Sequence, residues 1–136
     1  MSILKSINPT TEKLVKEYEQ IDLSDIEEII DKSSVSQRDW SCISISKRSQ
    51  IISEIVNLIN KNKESYAHII TEEMGKPISE SIAEVEKCIL LCKYYSENGI
   101  KFLSDQYIES DAKVSFISFE PLGVILGIMP WNFPFW

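Results

Sequence analysis

The side chains able to make or break bonds are few: three cysteines (Cys42, Cys88 and Cys92), one histidine (His68), and the adjacent acids Glu72 and Glu73. A thiol becomes a nucleophile or a metal ligand when a base, a cation or a metal holds it as the thiolate. Cys88 and Cys92 are four residues apart, which puts them on one face of a helix. A structural zinc site needs four ligands, and His68 falls on a different predicted helix. The favoured reading is two buried thiols acting as small hydrophobes. Cys42 stands between serines with no activating neighbour in sequence. His68 lies mid-helix and reads as a surface or partly packed residue. Glu72 and Glu73 point in different directions on a helix, so they form a solvated face rather than an acid/base pair. Gly123 and Gly127 do not make the G-x-G-x-x-G loop that cradles phosphates. No metal site is expected.

These residues sit on a helical scaffold. After the turn signal Asn8-Pro9, residues 13–18 read as a short half-buried strand. Ser24 and Glu27 have capping-box spacing, so a first helix starts near Ser24, with Trp40 packing near its end. A second helix is predicted over 46–61, with Ile51, Ile52, Ile55, Leu58 and Ile59 as its apolar stripe. Asn62 reads as the N-cap of a third helix that turns Tyr66, Ala67, Ile70 and Met74 inward. Gly75 sits where a left-handed cap is expected, and Pro77 in the first turn of a long fourth helix over 77–103. The expected buried stripe of that helix is Ile78, Ile82, Val85, Ile89 and Cys92.

The character changes at Lys113. Residues 114–119 are β-branched and aromatic, as in a strand. Residues 124–129, Val-Ile-Leu-Gly-Ile-Met, read as a fully buried strand of a parallel sheet, ended by Pro130. Such a strand needs parallel neighbours reached through crossovers of a dozen or more residues. Only seven residues follow, the last of them aromatic. The expectation is a chain incomplete as a folding unit.

The 136 residues suit one domain, and 43% hydrophobic with 26% charged is an ordinary globular composition. A net charge of −7, with 14 basic residues scattered among 21 acids, argues against nucleic acid as a partner. The longest uncharged run, 121–136, is shorter than a membrane helix and broken by prolines, so no membrane partner is expected. Residues 1–5 lack the apolar core of a signal peptide. With three cysteines, this points to reduced thiols in the cytoplasm.

Several segments, in order, resemble the aldehyde dehydrogenase superfamily, particularly its succinate-semialdehyde dehydrogenase-like members. They are Ile7-Asn-Pro-Thr-Thr-Glu12, Glu73-Met-Gly-Lys-Pro77 followed by Glu84-Val-Glu86, Phe119-Glu-Pro-Leu-Gly-Val124, and above all Gly127-Ile-Met-Pro-Trp-Asn-Phe-Pro-Phe-Trp136. The resemblance implies an α/β fold: a helical layer, the start of an oligomerisation hairpin at 113–122, and the first strand and turn of a Rossmann-like cofactor domain at 123–136. All of 1–136 would be the N-terminal part of that cofactor-binding domain. It implies oxidation of an aldehyde to a carboxylic acid through a cysteine adduct, with hydride passed to NAD or NADP, in a homo-oligomer. Asn132 would donate its side-chain N–H to the developing oxyanion, and Pro130 and Trp131 would line the cofactor crevice beside it. Physics gives Gly75, Lys76 and Pro77 a helix break rather than chemistry.

Cys42, Cys88 and Cys92 do not match the family's nucleophile motif. The general-base glutamate and the glycine-rich cofactor loop would lie downstream. The chain alone is therefore expected to be inactive, and no residue present chooses between NAD and NADP or among aldehydes. The alternative is a non-catalytic interaction piece that docks on full-length subunits. The reading frame beyond Trp136 separates the two.

Overall fold

The computed structural model describes residues 3–136. Met1 and Ser2, part of the opening read above for a signal peptide, lie outside the described residues. The described elements are, in order, β1 (Ile3–Ile7), β2 (Leu14–Glu19), α1 (Leu23–Ser41), α2 (Ile45–Lys61), α3 (Lys63–Met74), α4 (Ile78–Phe102), β3 (Gln106–Tyr107) and β4 (Phe116–Ile117).

β1 and β2 form an antiparallel hairpin, with Ile3 opposite Glu19 and a register irregularity at Ser6/Ile7. The sequence reading found β2 and missed β1, whose Ile-Leu-Lys-Ser-Ile lacks clean alternation. Asn8 builds the turn. Its Oδ1 accepts from the amides of Thr10 and Thr11 at 2.9 and 3.0 Å, and Glu12 takes φ 58°.

All four helices form where the sequence placed them, with the boundaries given for α2, α3 and α4 moved by at most one residue. α1 begins beyond Asp22, without a side-chain cap, so the Ser24 capping box does not form. α1 runs through Ser33, Ser34 and Ser36. Ser33 and Ser34 turn their hydroxyls back onto the carbonyls of Ile29 and Ile30 and leave the ladder intact. α2 is capped by Ser44, whose side chain accepts from the Lys47 amide. Asn62 is the N-cap of α3, as expected, but its side chain makes no capping bond there and instead donates to the Leu58 carbonyl at the end of α2 at 2.9 Å. Gly75 ends α3 at φ 76°, as expected, and a Cβ there would meet Pro9 Cγ at 3.0 Å. The left-handed conformation and the close approach both demand glycine. Pro77 is the N-cap of α4, one position before the predicted first turn.

α4 packs against both α2 and α3. The core among the described residues is Ala67, Ile70, Val85 and Cys88. The buried face of α4 is not the predicted stripe. Ser81, Glu84, Val85 and Cys88 are buried, Ile78 is exposed, and Ile82, Ile89 and Cys92 are half-buried. The helix is turned so that two polar side chains face inward, where partners await them.

β3 and β4 pair antiparallel, Gln106 with Ile117 and Tyr107 with Phe116. The strand expected at 114–119 is thus reduced to two residues. Residues 124–129 form no strand, and Leu126 and Ile128 are 85% and 87% exposed. The expected buried strand is corrected here on physical grounds: a strand exists only through its ladder, and no described strand lies beside this segment.

Candidate functional site

Residues 131–134 form the turn that carries Asn132. Asn132, Pro130 and Trp131 are all exposed, Trp131 at 79%. The sequence-predicted site residues therefore come together at one surface turn, in sequential order.

What holds that turn is a buried ion pair. Lys76, in the bend between α3 and α4, sends its ammonium to Glu84 Oε2 on α4, and the side chains are only 8% and 1% exposed. The same ammonium donates to the Asn132 carbonyl oxygen at 2.8 Å and lies 4.1 Å from the centroid of the Phe133 ring. The other carboxylate oxygen, Glu84 Oε1, accepts from the amides of Phe135 at 2.8 Å and Trp136 at 3.2 Å. Cys88, one turn along α4, donates its thiol to the Phe135 carbonyl at 3.2 Å. The Phe135 ring stacks tilted on Tyr66 of α3 with centroids 5.3 Å apart, and Lys87 sits 3.8 Å over the Trp136 ring. Backbone groups of three of the last five residues are thereby fixed to α4 and the bend before it.

The electrostatics agree with the geometry. Burial works to raise the Glu84 pKa. The hydrogen bond from Lys76, the amides of Phe135 and Trp136, and the Lys76 charge outweigh it, and the carboxyl titrates below its ordinary value. Burial foremost, then the nearby Glu84 charge, pushes the Cys88 thiol up, away from the thiolate a nucleophile needs. Next to this pair, the Thr71 and Ser81 hydroxyls bond each other at 2.9 Å, which accounts for the second polar residue on the buried face.

Lys76 and Glu84 are the residues sequence reasoning missed, having assigned the Lys76 bend no role beyond breaking a helix. A signal was present. Glu84 directly precedes Val85 and lies three residues after Ser81, inside the face that packs inward, and a fully buried glutamate needs a partner. The cation across the helix break was the available one. Of the remaining candidates, Cys42 is exposed, His68 is exposed on α3, and Cys92 is half-buried on α4. Among the described residues no cluster of three or more His, Cys, Asp or Glu is disposed to hold a metal ion.

The aldehyde dehydrogenase family model matches residues 2–136, nearly the whole chain. The chain belongs to the aldehyde dehydrogenase family. It is 34% identical over 98% of its length to a probable NADP-dependent succinate-semialdehyde dehydrogenase of Synechocystis. It is 37% identical over 96% of its length to the NAD(P)-dependent succinate semialdehyde dehydrogenase Sad of Escherichia coli. It covers 29% and 28% of those two proteins, so it spans less than a third of the curated relatives it matches. Among solved structures, the glyceraldehyde-3-phosphate dehydrogenase GapN of Methanocaldococcus jannaschii, complexed with NADP, superposes with a TM-score of 0.90 at 30% identity, over 97% of this chain and 29% of that one. The mixed helix-and-strand fold of this aldehyde dehydrogenase segment is thus the family's own.

Proposed function

We propose that residues 1–136 are the N-terminal part of an enzyme that oxidises an aldehyde to a carboxylic acid with NAD or NADP, and that Asn132 is its oxyanion donor. The observation that carries this is the placement of Asn132: an amide side chain on an exposed turn whose backbone is pinned to a buried ion pair. A preorganised donor stabilises charge that appears only after attack on the carbonyl, at no reorganisation cost. The cofactor, when bound, accepts the hydride. Pro130 and Trp131 suit it as lining surface, through backbone and an exposed ring. Neither Gly123 nor Gly127 opens a helix, so neither offers the cofactor's phosphates a helix N-terminus. The nucleophile is assigned to a segment outside these residues, because Cys88 is held as a thiol and none of Cys42, Cys88 and Cys92 matches the family's nucleophile motif. On this reading residues 1–136 alone reduce no cofactor.

The named relatives make succinate semialdehyde the first substrate to try. The segment 113–122 is read as the start of a subunit-pairing hairpin and 123–136 as the entry into a Rossmann-like domain, in a cytoplasmic homo-oligomer. A second reading, a non-catalytic docking segment, is favoured by the exposed apolar run at 122–129.

The test joins residues 1–136 to the remainder of the Escherichia coli relative and assays cofactor reduction with succinate semialdehyde and short aldehydes. Turnover is the expected result. A soluble, cofactor-binding composite without turnover on any aldehyde sinks the enzymatic reading and leaves the docking one.

A further inference from the structure

We propose that Lys76 and Glu84 are positioning residues for the oxyanion donor, setting the placement of the Asn132 amide through its backbone. The inference rests on the reading of Asn132 given above.

The two side chains meet the turn from both sides. Lys76 reaches it at the carbonyl of Asn132 itself, and Glu84 reaches it three and four residues later, at the amides of Phe135 and Trp136. Between these contacts lie only Phe133 and Pro134. Phe133 faces the Lys76 ammonium, and proline has its φ fixed near −65°. The peptide carrying Asn132 therefore has little freedom to swing. Its side chain, which makes the proposed contact with substrate, extends from a backbone whose next carbonyl is held by a charge-assisted hydrogen bond.

Burying this pair is costly. Two charges leave water, and an apolar pair of the same volume would often serve stability as well or better. What apolar side chains cannot supply is a donor for the Asn132 carbonyl and one acceptor for two consecutive amides. The pair holds three backbone polar groups, the Asn132 carbonyl and the Phe135 and Trp136 amides, in one arrangement. A buried pair with one oxygen on the cation and the other on the amides is a directional clamp, and direction is what an oxyanion donor needs. Displacement of a reacting group by about 1 Å costs on the order of a hundredfold in rate.

The experiment uses the complete composite enzyme. The central variant is the double substitution Lys76→Met with Glu84→Gln. It leaves no unpaired buried charge, keeps an Oε1 acceptor for the Phe135 and Trp136 amides, and removes the ammonium from the Asn132 carbonyl. Lys76→Arg, which keeps a cation beside Glu84 and both Glu84-to-amide bonds but changes the geometry of the donor to the Asn132 carbonyl, is the second variant should the first be insoluble. Turnover should fall roughly ten- to a hundredfold, with the cofactor Kd changed less than about twofold and amide exchange accelerated across 130–136. In an Asn132→Ala background the same substitutions should lower turnover by no more than about threefold, because groups acting as a unit are strongly non-additive. A purely structural role would instead multiply the two losses, and multiplied losses overturn the proposal. So does wild-type turnover in the positioning variants. Normal turnover in Asn132→Ala alone is a different failure: it removes Asn132 from the reaction, and the positioning role falls with it.

Discussion

Replacing Leu126 and Ile128 with glutamate should convert the 136-residue chain from an associating species to a monomer. Leu122, Ile125, Leu126 and Ile128 are 92%, 68%, 85% and 87% exposed, on a stretch with no described strand beside it. Full burial of such a side chain contributes about 1.5–3 kcal/mol. Scaled by their exposures, these four alone leave roughly 5–10 kcal/mol of burial unrealised, comparable to the whole stability of a typical domain. Self-association is the available way to realise it, through apolar contact and through backbone groups free to pair. The assay is gel filtration with light scattering, alongside binding of a dye that reports exposed apolar surface. The parent chain should run as oligomers and bind dye, and the Leu126→Glu/Ile128→Glu variant should do markedly less of both. A monodisperse parent with a cooperative melt and no dye binding would refute the reasoning, as would a variant that associates unchanged.

That variant is also the background for three further measurements. Glu84→Ala leaves the Lys76 ammonium buried without its carboxylate and strips the acceptor from two amides, so unfolding by denaturant should show a loss of about 3–5 kcal/mol. Because the Glu84 pKa is depressed on folding, its contribution is fully present above the unfolded value of 4.5 and is lost as pH falls through the lower folded value. A Glu84→Gln variant should therefore lack that part of the acid dependence, and an identical acid limb would contradict the assignment. Gly75→Ala meets both a left-handed backbone and Pro9 Cγ at 3.0 Å, so it should cost at least about 1–2 kcal/mol. An unchanged midpoint would show that the bend can relax.

Much of this was legible from residue types. Helices α2, α3 and α4 followed from apolar spacing, and Gly75 from its position after Met74, because local rules govern both. The site turn was legible through resemblance, since Pro130, Trp131 and Asn132 stand inside a specific motif. Two things escaped. The rotation of α4 was misjudged because its buried face carries Ser81 and Glu84, and a hydropathy pattern weights such residues as solvent-facing. Their partners are Thr71 on α3 and Lys76 across a helix break, with backbone amides some fifty residues away, and none of these relations is periodic. The strand at 124–129 was expected from composition, whereas strand structure depends on a neighbour that the described residues do not include.

The central claim is that Asn132 supplies the oxyanion donor, and pre-steady-state cofactor reduction in the composite enzyme tests it most directly. The amide meets a full negative charge only after attack, while the ground-state carbonyl gains less from it. Asn132→Ala should therefore slow the reduction burst on the order of a hundred- to a thousandfold, with cofactor affinity nearly unchanged. Asn132→Asp, which faces the oxyanion with an anion, should be at least as slow. A burst of near-normal rate in both variants would contradict the account and leave 131–134 as a structural turn.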